Sequence, residues 1–129
     1  MAKPISSQPT ASELAILQIL WQRGPLPVRT VHEVLAEEKE VVYTTILKTM
    51  QVMLERGFLE RESVGRKHIY RAAIAQEDTQ DKLLDTFLDR TFGGSAKRLV
   101  MRALGNYRTS KEDMAELKAL INRLENEEQ

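Results

Sequence analysis

Residues 58–73 read FLERESVGRKHIYRAA. FLERES and HIYRA alternate in character around Val64–Lys67, and Gly65 stands where a tight turn needs it. A two-stranded hairpin is marginal in water unless it packs on something else. The pattern on both sides of it is helical, so helices must supply the support. This points to a mostly α chain with one small β-hairpin.

Before the hairpin, PTASELAILQILWQRGP reads as the first helix. Thr10 and Glu13 have capping-box spacing, which satisfies two backbone N–H groups at a helix start. Leu14, Ile16, Leu17, Ile19, Leu20 and Trp21 make it apolar on most sides, the mark of a central, buried helix. Gly24 and Pro25 end it. The second helix is VRTVHEVLAEE, with Val31, Val34 and Leu35 inward and Arg29, His32, Glu33 and Glu37 elsewhere. Pro27 stands where Ser or Thr would make a better cap. The third, YTTILKTMQVMLERG, gathers Tyr43, Ile46, Leu47, Met50, Met53 and Leu54 on one side. Thr45, Lys48 and Val52 point away, flanked by Thr44, Thr49 and Gln51, and Gly57 supplies a left-handed cap.

From Gln76 the pattern is helical only, which divides the chain into residues 1–75 and 76–129. Leu83, Leu84, Phe87, Leu88 and Phe92 form one broad stripe, stopped by Gly93-Gly94. Ser95 caps a short helix containing Leu99, which Gly105 is expected to end. Ser110 and Asp113 open the last helix, where Met114, Leu117, Ile121 and Leu124 fall at heptad spacing and Leu120 widens the seam. Short amphipathic helices of this kind cannot bury all their stripes within one small chain. A second copy is the simplest cover, which makes Leu84, Phe87, Leu88, Leu99, Met114, Leu117, Ile121 and Leu124 the expected homodimer interface.

The composition narrows the chemistry. With no cysteine and two histidines, a disulfide framework, a thiolate metal site and a Cys nucleophile are excluded. HEVLA at 32–36 starts like a zinc-protease helix, but Ala36 stands where the second histidine belongs. No phosphate-binding loop or dinucleotide fingerprint occurs, and Gly93-Gly94 reads as a helix break. No catalytic residue, metal or cofactor is therefore expected, and the chain does not read as an enzyme. Glu77, Asp81, Asp85 and Asp89 recur on one helix face, best read as a solvated stripe. No apolar run approaches the ~20 residues that span a bilayer. MAKPISSQPT lacks the apolar core of a signal peptide, so a cytoplasmic location is expected.

Charge is balanced overall but not locally. Residues 41–75 hold six Lys/Arg against three Asp/Glu, whereas 76–129 hold nine against eleven. A local basic excess is the footprint of a groove or backbone contact with a polyanion. Three helices and a hairpin in this order make the winged helix-turn-helix layout, whose third helix is placed to enter a DNA major groove. That assigns Thr44, Thr45, Lys48 and Thr49 to the DNA face, with Lys48 reaching either a guanine or a phosphate, and Arg66 and Lys67, at the hairpin tip, to flanking phosphates, while His68 there is either a phosphate donor or a simple strand histidine. Two rivals share this layout: a winged-helix adaptor that binds protein rather than DNA, and a repressor released by a small ligand.

SELAILQILWQRGPLPVRTVHEVL, followed by VVYTTILKTMQVMLERGFLERESVGRKHIYRA, resembles the BlaI/MecI penicillinase-repressor family of bacterial regulators. The resemblance runs from about Thr10 to the last helix and is most specific over YTTI, LERGFLERE and GRKHIYRA. It implies an N-terminal winged-helix DNA-binding domain and a helical C-terminal domain that makes the dimer. It also implies repression at inverted-repeat operators with TACA/TGTA cores, a membrane sensor-protease as partner, and binding roles for Thr44, Thr45, Lys48, Arg66 and Lys67. The cleaved members carry Asn-Phe in the helix after the glycine pair, where this chain has Arg102-Ala103. The copper-responsive members carry a cysteine motif that is absent here.

Overall fold

The computed structural model describes residues 8–127. Most of the stretch read as lacking a signal-peptide core, residues 1–7, lies outside them. The described chain runs α1 (Ala11–Arg23), α2 (Val28–Ala36), α3 (Tyr43–Glu55), β1 (Leu59–Val64), β2 (Lys67–Ala72), α4 (Gln76–Phe92), α5 (Ala96–Asn106) and α6 (Lys111–Glu127). It is mostly helical with one antiparallel hairpin, as its patterning implies.

Local chemistry sets the element ends. Thr10 Oγ1 accepts from the Glu13 N–H, and the Glu13 carboxylate accepts from the Thr10 N–H, so the capping box at α1 is complete. Pro27 begins α2 with no side-chain cap. In the hairpin, Val64 pairs with Lys67 and Gly65 has φ +64°, with no positive φ at Arg66. That is the pattern of a type II′ turn, whose twist matches the flanking strands. Gly105 does not end the fifth helix. It is helical, and α5 continues to Asn106, where Tyr107 turns extended.

The core of the first compact unit, which ends at Leu84, is built from α1, α2, α3 and the hairpin. Ile16, Leu17, Leu20, Val31, Ile46, Met50, Met53, Leu59 and Tyr70 are buried in it. The hairpin is held to the helices in a way the alternation pattern does not reveal. Leu26, between α1 and α2, exchanges both backbone hydrogen bonds with Tyr70, at 2.9 and 2.8 Å. The hairpin thus gains a short third partner, which fixes its register against the helices. Trp21 Nε1 donates to the Ile74 carbonyl at 3.0 Å, tying the end of the hairpin to α1. Tyr43, expected on the apolar side of α3, is exposed and sets its ring edge-on to His32.

Glu13 does more than cap α1. Arg56, which follows α3, donates to both carboxylate oxygens at 3.1 and 2.9 Å and lies over the Phe58 ring at 4.5 Å. The Glu13 side chain is 6% exposed and that of Arg56 25%. Removing one partner of such a pair leaves a nearly buried charge uncompensated. Arg56→Ala is therefore expected to cost about 2–3 kcal/mol, less than most fully buried pairs because Arg56 is partly solvated. Urea unfolding checks this. Glu13→Gln, which keeps an acceptor for the cap, is expected to cost less than Arg56→Ala.

The second compact unit begins at Asp85, within α4, and includes α5 and α6. The start of α4 belongs with the first unit, and Thr79 is buried with its hydroxyl donating to the Ala75 carbonyl. Ser95 caps α5 by accepting from the Arg98 N–H, and Ser110 accepts from the Asp113 N–H at α6. No residue of α5 or α6 is buried.

Candidate nucleic-acid interface

The side of α3 opposite its core-facing residues carries the expected polar set. Thr44, Thr45 and Lys48 are exposed, and Thr49 is half-buried. The Thr49 hydroxyl donates to the Thr45 carbonyl at 2.9 Å, which leaves its lone pairs and methyl group for outside contact. The start of α3 is positioned from α2. His32 Nε2 lies 2.8 Å from the Val41 carbonyl, and its ring packs edge-on to Tyr43. The sequence marks His32 only as half of a failed metal motif. Its role as a brace for the turn before α3 depends on the packing of α2 and leaves no sequence signal.

Arg66, Lys67 and His68 are all exposed at the hairpin tip. His68 Nδ1 lies 3.3 Å from Ser63 Oγ, its cross-strand neighbour. This holds the ring on the strand.

The basic excess of residues 41–75 divides into two groups. Arg56 pairs with Glu13, Arg71 pairs with Glu60 at 3.0 Å, and Arg61 reaches the Tyr70 ring and hydroxyl. Lys48, Arg66 and Lys67 make no ion pair among the described residues. Apart from Arg61, which lies against Tyr70 without an ion pair, the positive charge of this segment that is not ion-paired among the described residues sits on the outer face of α3 and on the hairpin tip. An uncompensated cation at an exposed position is free to neutralise a phosphate.

The expected interface residues of the C-terminal half are open to varying degrees. Leu84, Phe87, Ile121 and Leu124 are exposed, while Leu88, Leu99, Met114 and Leu117 are half-buried. Two hydrophobic side chains that heptad spacing does not mark are more open still, Met101 at 67% exposure and Tyr107 at 75%. They fall outside the seam of α6, so its spacing could not point to them. Among the described residues no group of His, Cys, Asp or Glu is placed to hold a metal ion. Glu77, Asp81, Asp85 and Asp89 are exposed along α4. Among the described residues no helix is long and apolar enough to cross a membrane.

The model of the penicillinase repressor family matches residues 9–123. The chain belongs to that family. It is 22% identical over 111 residues to a penicillinase repressor of Staphylococcus aureus, covering 86% of this chain and 88% of that one. It is 23% identical over 110 residues to a penicillinase repressor of Bacillus licheniformis, covering 85% and 86%. The methicillin resistance regulatory protein MecI of Staphylococcus aureus strain N315 is 18% identical over 114 residues, covering 88% and 93%. Among solved structures, transcriptional regulator Tm0710 of Thermotoga maritima shares the fold with a TM-score of 0.51 at 18% identity, covering 91% of this chain and 79% of that one. The family is one of transcriptional repressors, not of enzymes.

Proposed function

We propose that the protein represses transcription in the cytoplasm as a homodimer on an inverted-repeat operator. The α3 helix of each protomer enters the major groove, Thr44, Thr45, Lys48 and Thr49 meet base edges, and Arg66, Lys67 and His68 meet backbone phosphates. Two such helices, one per protomer, read half-sites about one helical turn, roughly 34 Å, apart. The family resemblance supplies TACA/TGTA half-sites as the sequences to try first.

One observation carries the DNA contact. Within residues 41–75 three of the four cations that make no ion pair among the described residues, Lys48, Arg66 and Lys67, lie on the α3 outer face and the hairpin tip, and the fourth, Arg61, lies against Tyr70. That pattern suits the phosphates of a DNA backbone. Dimerisation is supported by α5 and α6, which bury no residue of their own and present Met101, Ile121 and Leu124 to the outside, with Tyr107 exposed between them. Helices of this length gain most of their stability by packing an apolar face, and here that face is open.

Release from DNA through a membrane sensor-protease belongs to the proposal at a bond other than Arg102–Ala103. At that place Arg102-Ala103 stands in for the Asn-Phe of the cleaved members. Lys67→Ala tests the wing assignment. It is expected to weaken binding to operator and scrambled duplexes alike and to flatten the salt dependence by about one unit of log K per log salt. A loss confined to the operator duplex would reassign Lys67 from phosphate to base contact.

A further inference from the structure

The hairpin tip is not alone over its side of the first unit. A pocket of about 800 Å³ lies between α2, the start of α3 and the hairpin. Arg29 of α2 lines it together with Arg66, Lys67 and His68 from the tip. Arg29 is exposed and makes no ion pair among the described residues, although Glu33 stands one turn along on the same helix and lines the same pocket. The sequence pattern places Arg29 merely away from the core. It gives no sign that α2 brings this side chain to the same opening as the tip.

We propose that Arg29 is a second phosphate-binding arm, so that α2 and the wing grip the DNA backbone from two sides of this pocket. Like charges repel, so cations drawn from two separate elements into one opening are costly unless an anion joins them. Counting Arg29, Arg66 and Lys67 against Glu33, the opening keeps a positive excess with both histidines neutral. Pro27 also leaves the start of α2, which lines the pocket, without a capping side chain, so its N–H groups add to the field an anion meets. In helix-turn-helix proteins the helix before the recognition helix crosses the backbone, and Arg29 lies on that helix. A guanidinium suits the task because its fork matches two phosphate oxygens.

The inference rests on the DNA-binding reading, and its test separates the two. Binding of the full-length protein to operator and scrambled duplexes is measured by fluorescence anisotropy across a salt series, for wild type, Arg29→Ala, Arg29→Lys and Glu33→Gln. Arg29→Ala is expected to weaken both duplexes by the same factor, about five- to tenfold near 0.1 M salt, and to lower the slope by about one unit. Arg29→Lys keeps the charge and is expected to keep the slope. Glu33→Gln removes the opposing charge and is expected to tighten both duplexes. Unchanged slope and affinity in Arg29→Ala, or a loss on the operator duplex alone, overturns the phosphate arm while leaving the wild-type DNA reading intact. Wild-type protein that binds neither duplex at any salt removes both. Each variant's fold is checked by its urea midpoint, expected to match wild type because Arg29 and Glu33 are exposed.

Discussion

Leu117→Asp is expected to leave the protein monomeric at low micromolar concentration and to weaken operator binding by a hundredfold or more. Leu117 is half-buried on α6, in a helix with no fully buried residue of its own. A carboxylate there would have to be desolvated when a second copy covers the face, and that cost falls on both protomers of a symmetric dimer. The effect on DNA follows from linkage. In a dimer the second recognition helix binds from a high effective concentration, which strengthens binding by roughly 10²–10⁴ over one module. Sedimentation gives the mass and anisotropy the affinity. The first compact unit has its own core, so its fold is expected to survive. A profile still dimeric at low micromolar concentration would show that the seam is not where Leu117 lies.

The double reversal Arg66→Glu with Lys67→Glu is the second large effect. Both side chains are exposed and make no ion pair among the described residues, and the turn depends on Gly65 rather than on them. Folding should therefore be unaffected. Removing the cation opposite one phosphate lowers the salt slope by about 0.9, which near 0.1 M salt is about eightfold in affinity. Removing two gives about sixtyfold, and repulsion between the new carboxylates and the backbone adds to it. Operator binding should fall by at least a hundredfold, with the thermal midpoint within a few degrees of wild type. Retained binding would mean the wing does not touch DNA.

Much of the first unit is legible in the sequence because its signals are local. The Thr10–Glu13 capping box, the 3.6-residue periodicity of α3 and the glycine at the hairpin tip each involve residues within a turn or two of one another. The outer face of α3 follows from the same periodicity. What stays hidden depends on distant partners. Arg56 reaches Glu13 across 43 positions, and the capping box already accounts for Glu13 locally. The Leu26–Tyr70 bridge involves one residue on the helix side, too little for any alternation to show. Gly105 looks like a stop, yet a glycine inside a helix costs only about 1 kcal/mol and α5 runs through it. Arg29 illustrates the limit of patterning most clearly. Periodicity says which face leaves the core, but only the packing of α2 against α3 and the hairpin says what that face meets.

The central claim is sequence-specific recognition by a dimer, and one measurement bears on it most directly. A labelled duplex with paired TACA/TGTA half-sites is titrated beside a scrambled duplex, by anisotropy, across a salt series. The expected result is at least a tenfold preference for the paired half-sites, about 1.4 kcal/mol, on top of a steep salt slope common to both. Equal and weak binding to both, together with no enriched inverted repeat when the protein selects from random duplexes, would contradict it.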